Sequence, residues 1–127
     1  MDAKSNSSIL IIDDSTTNQV LLEAILQEEG YKTETALNAK EAFSIIADRK
    51  PILILLDLLM PQINGFDVLE KLKANTVTSS IPVIVVSAVG TKENIDLCRN
   101  LGAVDFFAKP IDIPLFLSKL KDYLKKQ

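Results

Sequence analysis

The chain has 127 residues, of which 47% are hydrophobic, with 17 acidic residues against 14 basic ones and a single cysteine. This length is typical of one domain, and the apolar fraction is sufficient for a hydrophobic core. The mild acidic excess argues against binding to nucleic acid or an anionic membrane, one cysteine excludes an intrachain disulfide, and the lack of histidine excludes His-based acid–base catalysis and a phosphohistidine on this chain.

The beginning of the chain and its apolar runs indicate where the protein works. The first residues, MDAKSNSS, are polar and lack the apolar core of a signal peptide. No apolar run approaches the roughly 18 residues needed to span a membrane. We therefore expect a single domain over residues 1–127, with a flexible segment over 1–7, located in the cytoplasm and not inserted in a membrane.

Apolar runs alternate with helical patterns in the first half of the chain. SILII (8–12) predicts a strand, and residues 15–29 predict a helix before Gly30, with an apolar side made of Val20, Leu21, Ala24, Ile25 and Leu26. YKTETA (31–36) alternates and predicts a strand near the edge of a sheet. Asn38 and Glu41 have the spacing of a capping box, before a helix with a buried side made of Phe43, Ile45, Ile46 and Ala47.

The second half continues the alternation. ILILL (52–56) and IPVIVVS (81–87) are apolar on both faces, which is typical of central parallel strands covered by helices on both sides. Residues 65–74 predict a helix between them, and VDFFA (104–108) predicts the fifth strand. Thr91 and Asp112 predict caps of the last two helices, whose apolar residues are Ile95, Cys98 and Leu101, then Ile113, Phe116, Leu117, Leu120 and Leu124. Five strands alternating with five helices predict one α/β domain with a parallel sheet.

Reactive side chains follow four of the five predicted strands. Asp13 and Asp14 follow the first strand, Asp57 follows the third, Ser87 ends the fourth and Lys109 follows the fifth. Each of them taken singly has an ordinary explanation as a helix cap, a loop residue or a solvated side chain. Their joint position is more informative, because open α/β sheets bind ligands outside the carboxyl ends of their strands.

Three carboxylates at one edge of a sheet require a proton or a cation among them. Two carboxylates about 5 Å apart repel by roughly 3 kcal/mol at an effective dielectric near 20. Oxygen ligands suit Mg²⁺, which shares its remaining positions with phosphate. With the Lys109 ammonium and the Ser87 hydroxyl, this set fits phosphoryl transfer, in which Asp57 is the best-placed nucleophile and Asp13 and Asp14 hold the metal.

Four motifs in order resemble the receiver domain of two-component response regulators. They are IIDDS (11–15), LLDLLMPQINGFD (55–67), VVSA (85–88) and GAVDFFAKP (102–110). The resemblance extends from Ser8 to about Leu124. It implies a flavodoxin-like, doubly wound (βα)5 sandwich whose five-stranded parallel sheet has the order 2-1-3-4-5.

The resemblance also implies a phosphoacceptor site with a metal. Asp57 would accept a phosphoryl group from the phosphohistidine of a histidine kinase or a histidine phosphotransfer protein. Asp14 and Asp57 would bind Mg²⁺, or Mn²⁺, directly, with the Leu59 backbone carbonyl as the third protein ligand and Asp13 acting through water. Lys109 would pair with the phosphoryl oxygens.

Signal output is implied by the same resemblance. The Ser87 hydroxyl and the Ala88 backbone would bind the phosphoryl group, Phe106 would rotate inward, and the Lys109–Pro110 peptide bond would be cis. The surface of the fourth helix, fifth strand and fifth helix would then change for a downstream protein target, with no direct contact to nucleic acid. The chain would act as a monomer or weak dimer and as a self-modifying phosphoacceptor, not as an enzyme with a separate substrate.

The sequence departs from the family pattern near the expected phosphoacceptor. Leu59 and Val89, two residues beyond Asp57 and Ser87, are apolar and cannot position an attacking water by hydrogen bonding. We therefore expect slow self-dephosphorylation. We also expect Asp57 to lie at the rim and not in the core, with Leu58 and Leu59 shielding it from water. Ile111 replaces a Phe that is frequent in the family, and Phe106 lacks the hydroxyl of a Tyr or Thr.

Other readings of the same motifs stay open or are disfavoured by single residues. A Mg²⁺-dependent phosphatase of the haloacid-dehalogenase type needs a second Asp two residues after the nucleophile, where this chain has Leu59. A flavodoxin needs a phosphate loop after the first strand, where DDSTTNQ carries acids instead. The remaining alternative is a receiver-fold docking module that is never phosphorylated.

Overall fold

The computed structural model describes residues 8–59 and 64–125, in which strands and helices alternate along the chain. The strands are β1 (Ile9–Ile12), β2 (Thr33–Ala36), β3 (Leu53–Leu56), β4 (Val83–Ser87) and β5 (Asp105–Ala108). The helices are α1 (Thr16–Glu28), α2 (Ala39–Asp48), α3 (Gly65–Ala74), α4 (Lys92–Asn100) and α5 (Ile113–Lys125). The N-terminal segment 1–7 and the motif residues Met60 and Pro61 lie outside the described residues.

The five strands form one parallel sheet in the order β2-β1-β3-β4-β5. This order confirms the predicted fold class, and β2 lies at an edge of the sheet, as its alternating sequence predicts. The chain first moves outward from β1 to β2 and then returns past β1 to β3, so the winding direction reverses beside β1. A crevice for a ligand therefore opens at the carboxyl ends of β1 and β3.

Both faces of the central strands are buried, and they divide the core into two layers. One layer, with α2, α3 and α4, contains alternate strand residues such as Leu10, Ile54 and Val83. The other layer, with α1 and α5, contains their neighbours Ile9, Leu53 and Ile84, together with Phe116. Period-2 alternation divides each strand between the layers, which explains why the central strands are apolar at every position.

Short polar side chains begin the helices. Ser15, Asn38, Thr91 and Asp112 each accept a hydrogen bond from the backbone N–H three residues later. The caps predicted at Asn38, Thr91 and Asp112 are thus confirmed. The Glu41 carboxylate accepts from the Leu37 N–H, so it satisfies the donor one residue before the expected partner. These caps supply acceptors for backbone donors that have no partner within the helix.

The predicted apolar side of α1 is confirmed at Leu26 and wrong at Val20, Leu21 and Ala24. Val20 and Leu21 are 65% and 56% exposed, and Ala24 is also exposed, whereas the buried residues are Gln19, Leu22 and Leu26. Positions 19, 22 and 26 have spacings of three and four and therefore share one helix face. Position 20 lies about 100° around the helix from position 19, so its apolar side chain points away from the sheet.

Two other helices contain smaller departures of the same kind. Ala47 in α2 is exposed, because Ala39, Ala42 and Ile46 form the side that faces the sheet. Ile113, at the first position of α5, is 41% exposed, because only the later turns of that helix cover the sheet. Among the described residues, no helix has the length and apolar character needed to cross a membrane.

Candidate functional site

The residues singled out at the strand ends meet at the carboxyl edge of the sheet. The residues that follow β3 and β5 each continue the hydrogen-bonded ladder by one bond. The Asp57 N–H donates to the Ile12 carbonyl at 3.0 Å, and the Lys109 N–H donates to the Ser87 carbonyl at 3.0 Å. This ladder fixes the backbone of Asp57 beside the end of β1 and the backbone of Lys109 beside the end of β4.

Three carboxylates converge there. One oxygen atom from each of Asp13, Asp14 and Asp57 can be chosen so that all three lie within 4.8 Å of one another. Asp13 and Asp57 are buried, at 2% and 7% exposure, whereas Asp14 is exposed. The cluster is therefore open to solvent on the side of Asp14, and a ligand can enter from that side.

Backbone donors orient two of these acids. The Ser15 N–H donates to Asp13 Oδ1 at 2.9 Å, and the Leu59 N–H donates to Asp57 Oδ1 at 3.2 Å. Within residues 8–59 and 64–125, no donor to the Asp14 carboxylate is found. As far as these residues show, both Asp14 oxygens are available to a ligand.

Lys109 brings positive charge to the cluster. Its Nζ lies 3.2 Å from Asp13 Oδ2 and 3.6 Å from Asp57 Oδ2, and its side chain is 23% exposed. One ammonium next to three carboxylates leaves an excess of negative charge. The arrangement therefore favours a further cation, and Lys109 can pair with an anion that arrives with it.

Asp57 responds to this environment with a raised pKa. Burial of its carboxylate is the largest cause, and the nearby Asp13 charge adds to it, while the Leu59 N–H and the Lys109 ammonium act in the opposite direction. The ionised form is thus less favoured in the folded protein than it is in an aspartate in water. A cation among the acids would stabilise the ionised carboxylate, which is the form that acts as a nucleophile.

Burial also corrects two expectations about the surroundings of Asp57. Asp57 lies at the carboxyl edge of the sheet, but at 7% exposure it is buried and not at an open rim. Leu58, at 4% exposure, belongs to the core, whereas Leu59 is 55% exposed. The expected shielding of Asp57 by Leu59 is therefore wrong: the backbone of Leu59 faces Asp57, and its side chain lies largely in solvent.

Ser87 ends β4 at the carboxyl edge of the sheet, Ala88 follows it, and Phe106 lies within the neighbouring strand β5. The Ser87 side chain is fully buried, and its hydroxyl accepts a hydrogen bond from the Val89 N–H at 3.3 Å. Ala88 is exposed, and Phe106 is half-buried and packs against the core layer that contains α4. The Lys109–Pro110 peptide bond is cis.

The fold and these residues correspond to a known family. A sequence profile described as "Response regulator receiver domain" matches residues 9–121. The chain belongs to the receiver-domain family of two-component response regulators. It is 36% identical over 119 residues to sporulation initiation phosphotransferase F of Bacillus subtilis, and the match covers 94% of each chain.

Other similar proteins place the same domain in different contexts. A probable cyclic di-GMP phosphodiesterase of Vibrio cholerae is 35% identical over 127 residues, which are 100% of this chain but 29% of that protein. The structure of a CheY-like response regulator receiver domain protein from Methanospirillum hungatei is 32% identical, with a TM-score of 0.85 and 94% of each chain covered. The receiver fold therefore occurs both as nearly a whole protein and as one part of a longer protein.

The donor set of this receiver fits a hard divalent cation. Three carboxylates with oxygen atoms within 4.8 Å of one another supply the ligand type that Mg²⁺ and Mn²⁺ prefer. Their shared negative charge exceeds that of Lys109, and Asp14 leaves an open side where waters or a phosphate complete the coordination. The acidic cluster thus can bind a metal ion.

Sequence reasoning did not identify Gln19, which is buried at 5% exposure beneath the acidic cluster. Its side-chain amide donates to the carbonyls of Asp13 at 2.8 Å and Ala36 at 2.9 Å. A signal was present in the sequence, because Gln19 has the spacing of Leu22 and Leu26 on the buried face of α1. A polar residue within an apolar stripe requires buried hydrogen-bond partners.

Proposed function

We propose that this receiver is a phosphoacceptor, in which Asp57 takes a phosphoryl group from the phosphohistidine of a partner protein. The observation that supports it best is the position of the buried Asp57 carboxylate between two further acids and the Lys109 ammonium, with a raised pKa. We include in the proposal a cytoplasmic location and an output through protein contacts, without direct binding to nucleic acid.

The transfer forms one bond and breaks another. An oxygen of Asp57 attacks the phosphorus atom, an O–P bond forms, and the N–P bond breaks so that its electron pair returns to the imidazole of the donor. Asp14, Asp57 and the Leu59 carbonyl would hold Mg²⁺ directly, and Asp13 would act through water. When bound, the metal ion neutralises charge on the phosphoryl oxygens.

Lys109 and Ser87 would then bind the new phosphoryl group. Lys109 already lies 3.6 Å from Asp57, so its ammonium can exchange a carboxylate partner for a phosphoryl oxygen. The Ser87 hydroxyl accepts from the Val89 N–H, and its own proton remains available for donation to a phosphoryl oxygen. The Ala88 N–H is the expected backbone donor in the same loop.

The output would pass through the loop between β4 and α4. Gly90 in this loop lies against β5: a Cβ atom at this position would be 3.0 Å from the Ala108 Cβ and 3.6 Å from the Phe106 ring. A loop that follows Ser87 toward the phosphoryl group therefore cannot move independently of Phe106. We propose that this coupling changes the surface formed by α4, β5 and α5, which a downstream protein reads.

This protein has an apolar surface near Lys109 on which the phosphoryl donor could dock. Leu21 and Ile113 are exposed along a groove of about 460 Å³ that extends to Lys109 and Pro110, and Val20 is exposed next to Leu21 on α1. Apolar side chains that are exposed together commonly mark a protein interface. We assign this surface, on α1 and the start of α5, to the donor protein, which leaves α4 and β5 free for the target.

Intact-mass measurement with Mg²⁺ and acetyl phosphate tests the phosphoacceptor. We expect a gain of one phosphoryl group in the unchanged protein, no gain in Asp57→Asn, and an unchanged gain in the control Asp67→Asn, which removes an exposed carboxylate on α3. No gain under conditions that label another receiver would favour the alternative of an unphosphorylated docking module.

The lifetime of the phosphoryl group is a separate part of the proposal. Val89 is half-buried and Leu59 is exposed, and neither side chain has a hydrogen-bonding group that would orient a water molecule toward Asp57. We therefore expect slow hydrolysis, and we expect Leu59→Gln to accelerate it by supplying such a group. A half-life of only seconds at neutral pH in the unchanged protein would contradict this expectation.

A further inference from the structure

Gln19 is hydrogen-bonded to the backbone at the carboxyl ends of two neighbouring strands, β1, which leads into Asp13 and Asp14, and β2. Its Nε2 donates to the Asp13 carbonyl at 2.8 Å and to the Ala36 carbonyl at 2.9 Å. The Ala36 carbonyl also accepts from the Asp13 N–H at 3.1 Å. The amide of Gln19 thus fastens the carbonyl of Asp13 to the end of β2, on the buried side of the site.

The Asp13 carbonyl has no strand neighbour to which it can bond. The pairing of β1 with β2 ends at Ile12 and Ala36, and after Ala36 the chain turns into the N-terminus of α2. A buried carbonyl without a donor costs about 1–3 kcal/mol and tends to rotate toward another partner. Gln19 supplies the missing donor from α1 and so fixes the plane of the peptide between Asp13 and Asp14.

Asp14 depends on that peptide more than the other two acids do. Asp13 is held by the Ser15 N–H and Lys109, and Asp57 is held by the Leu59 N–H and Lys109. Asp14 has no such side-chain contact among the described residues, and it is exposed. With no contact from the described residues to fix its rotamer, the backbone of Asp14 sets the space that its carboxylate can reach, and that backbone begins at the peptide that Gln19 holds.

We infer that Gln19 is a positioning residue for the metal site, which directs Asp14 toward the cation through the Asp13 carbonyl. The inference rests on the proposed function, because it assigns Asp14 as a ligand. Partners one step removed from a metal typically change its affinity by 10–100-fold when they are lost. A peptide that can rotate would leave Asp14 in orientations that do not bind, and the metal would have to restore the correct one.

Calorimetric titration of the unphosphorylated protein with MgCl₂ tests this inference. In Gln19→Met the side chain keeps its length but cannot donate, and we expect the Kd for Mg²⁺ to rise about tenfold. Gln27→Met is the matched control, because Gln27 also links α1 to β2, through a 2.9 Å hydrogen bond to the Thr33 hydroxyl far from the acids. The Kd of that control should stay within twofold of the unchanged protein.

Mg²⁺ binding by the unchanged protein tests the metal site, and the affinity of Gln19→Met tests the role of Gln19. An unchanged protein that binds no Mg²⁺ would overturn the metal site itself, and the positioning role with it. An unchanged protein that binds Mg²⁺, together with a Gln19→Met variant of the same affinity, would overturn the positioning role alone, even if that variant unfolds more easily. Circular dichroism establishes that each variant is folded, and if Gln19→Met is not, the shorter amide of Gln19→Asn is titrated against the same limits.

Discussion

Charged side chains have different surroundings at the two ends of the parallel sheet. At the amino end, Glu34 accepts hydrogen bonds from the Ser8 hydroxyl and from Arg49, and Lys73 donates to the carbonyls of Ser79 and Ile81. At the carboxyl end, Asp13, Asp14 and Asp57 lie together with Lys109 as the neighbouring ammonium. Charges are thus matched at one end and in excess at the other.

The charges at the amino end of the sheet stabilise the fold, whereas those at the carboxyl end form the candidate functional site. At the amino end, Glu34 has Arg49 as a partner of opposite charge, and carbonyl acceptors hold the Lys73 ammonium. Unmatched carboxylates at the carboxyl end weaken the folded state unless a cation binds, and such perturbed groups are typical of functional sites. Substitutions at the two ends should therefore differ in size and in their response to Mg²⁺.

The largest loss of stability is expected at Gly65, which packs against the backbone of Asp57 and Leu58 at the carboxyl end of the sheet. A Cβ at this position would lie 2.5 Å from the Leu58 Cα and 2.7 Å from the Asp57 carbonyl oxygen. Gly65→Ala should lower the unfolding free energy in urea by about 3 kcal/mol and also weaken Mg²⁺ binding. The control Gly30→Ala, at the amino end, meets no atom within 4 Å and has a φ of +90°, so it should cost about 1 kcal/mol and leave Mg²⁺ affinity unchanged.

Asp57→Asn should act in the opposite direction and stabilise the protein. Without Mg²⁺ at pH 7, we expect an unfolding free energy about 2 kcal/mol above that of the unchanged protein, because a buried charge among like charges is removed. Asn keeps an oxygen that can accept from the Leu59 N–H. Equilibrium urea unfolding measures the difference, and Asp67→Asn is the exposed control.

The stability gained by Asp57→Asn should depend on pH, and the direction of that dependence follows from the raised pKa of Asp57. The pKa of Asp57 in the folded protein is raised above its usual value of 3.8, so the folded state takes up this proton before the unfolded state does as pH falls. The destabilisation by Asp57 is therefore complete above the folded pKa and disappears below 3.8. The advantage of Asp57→Asn should shrink on acidification, and an advantage that grows in acid would contradict this account.

Lys109→Met should produce a smaller loss that Mg²⁺ counteracts. It removes the ammonium that lies 3.2 Å from Asp13 and 3.6 Å from Asp57, and we expect a cost of about 1 kcal/mol at pH 7 without metal. Saturating Mg²⁺ should raise the melting temperature of this variant more than that of the unchanged protein. Lys92→Met, which breaks an exposed pair with Asp96, serves as the control and should show no such difference.

The smallest effect is expected at the amino end, from Glu34→Gln. Its partner Arg49 has a side chain that is 57% exposed, and ion pairs in contact with solvent contribute about 0–1 kcal/mol. We expect a loss below about 0.5 kcal/mol that is independent of Mg²⁺. A loss as large as that of Lys109→Met, or a dependence on Mg²⁺, would remove the distinction between the two ends.

Local pattern was sufficient for most of the fold. The two-faced runs that contain Leu53–Leu56 and Val83–Ser87 predicted central parallel strands, because only such strands are covered on both sides. Asn38, Thr91 and Asp112 predicted helix starts, because a short polar side chain satisfies free backbone donors there. Position alone predicted Asp13, Asp14, Asp57, Ser87 and Lys109, since parallel strands deliver their carboxyl ends to one edge, whereas the roles of Leu59, Ala88 and Phe106 came from the family resemblance.

Interactions between distant parts of the chain were not predictable in this way. The buried face of α1 was assigned to Val20 and Leu21, because apolar character was read without the direction from which the sheet approaches. Gln19 was missed for the same reason, since its partners are carbonyls at the ends of two different strands. The sequence predicts that Leu59 shields Asp57, but the residue is 55% exposed and bonds Asp57 through its backbone N–H.

The sequence by itself determined the alternation of strands and helices, the two-faced core and the set of reactive residues at one edge of the sheet. These features follow from periodicity and capping, which act over a few residues. Only the tertiary structure decided which acids are buried, which of them Lys109 contacts, and that the Gln19 amide bonds the Asp13 carbonyl. Those properties depend on distances between separate elements, and such distances exist only when the sheet and its helices have packed.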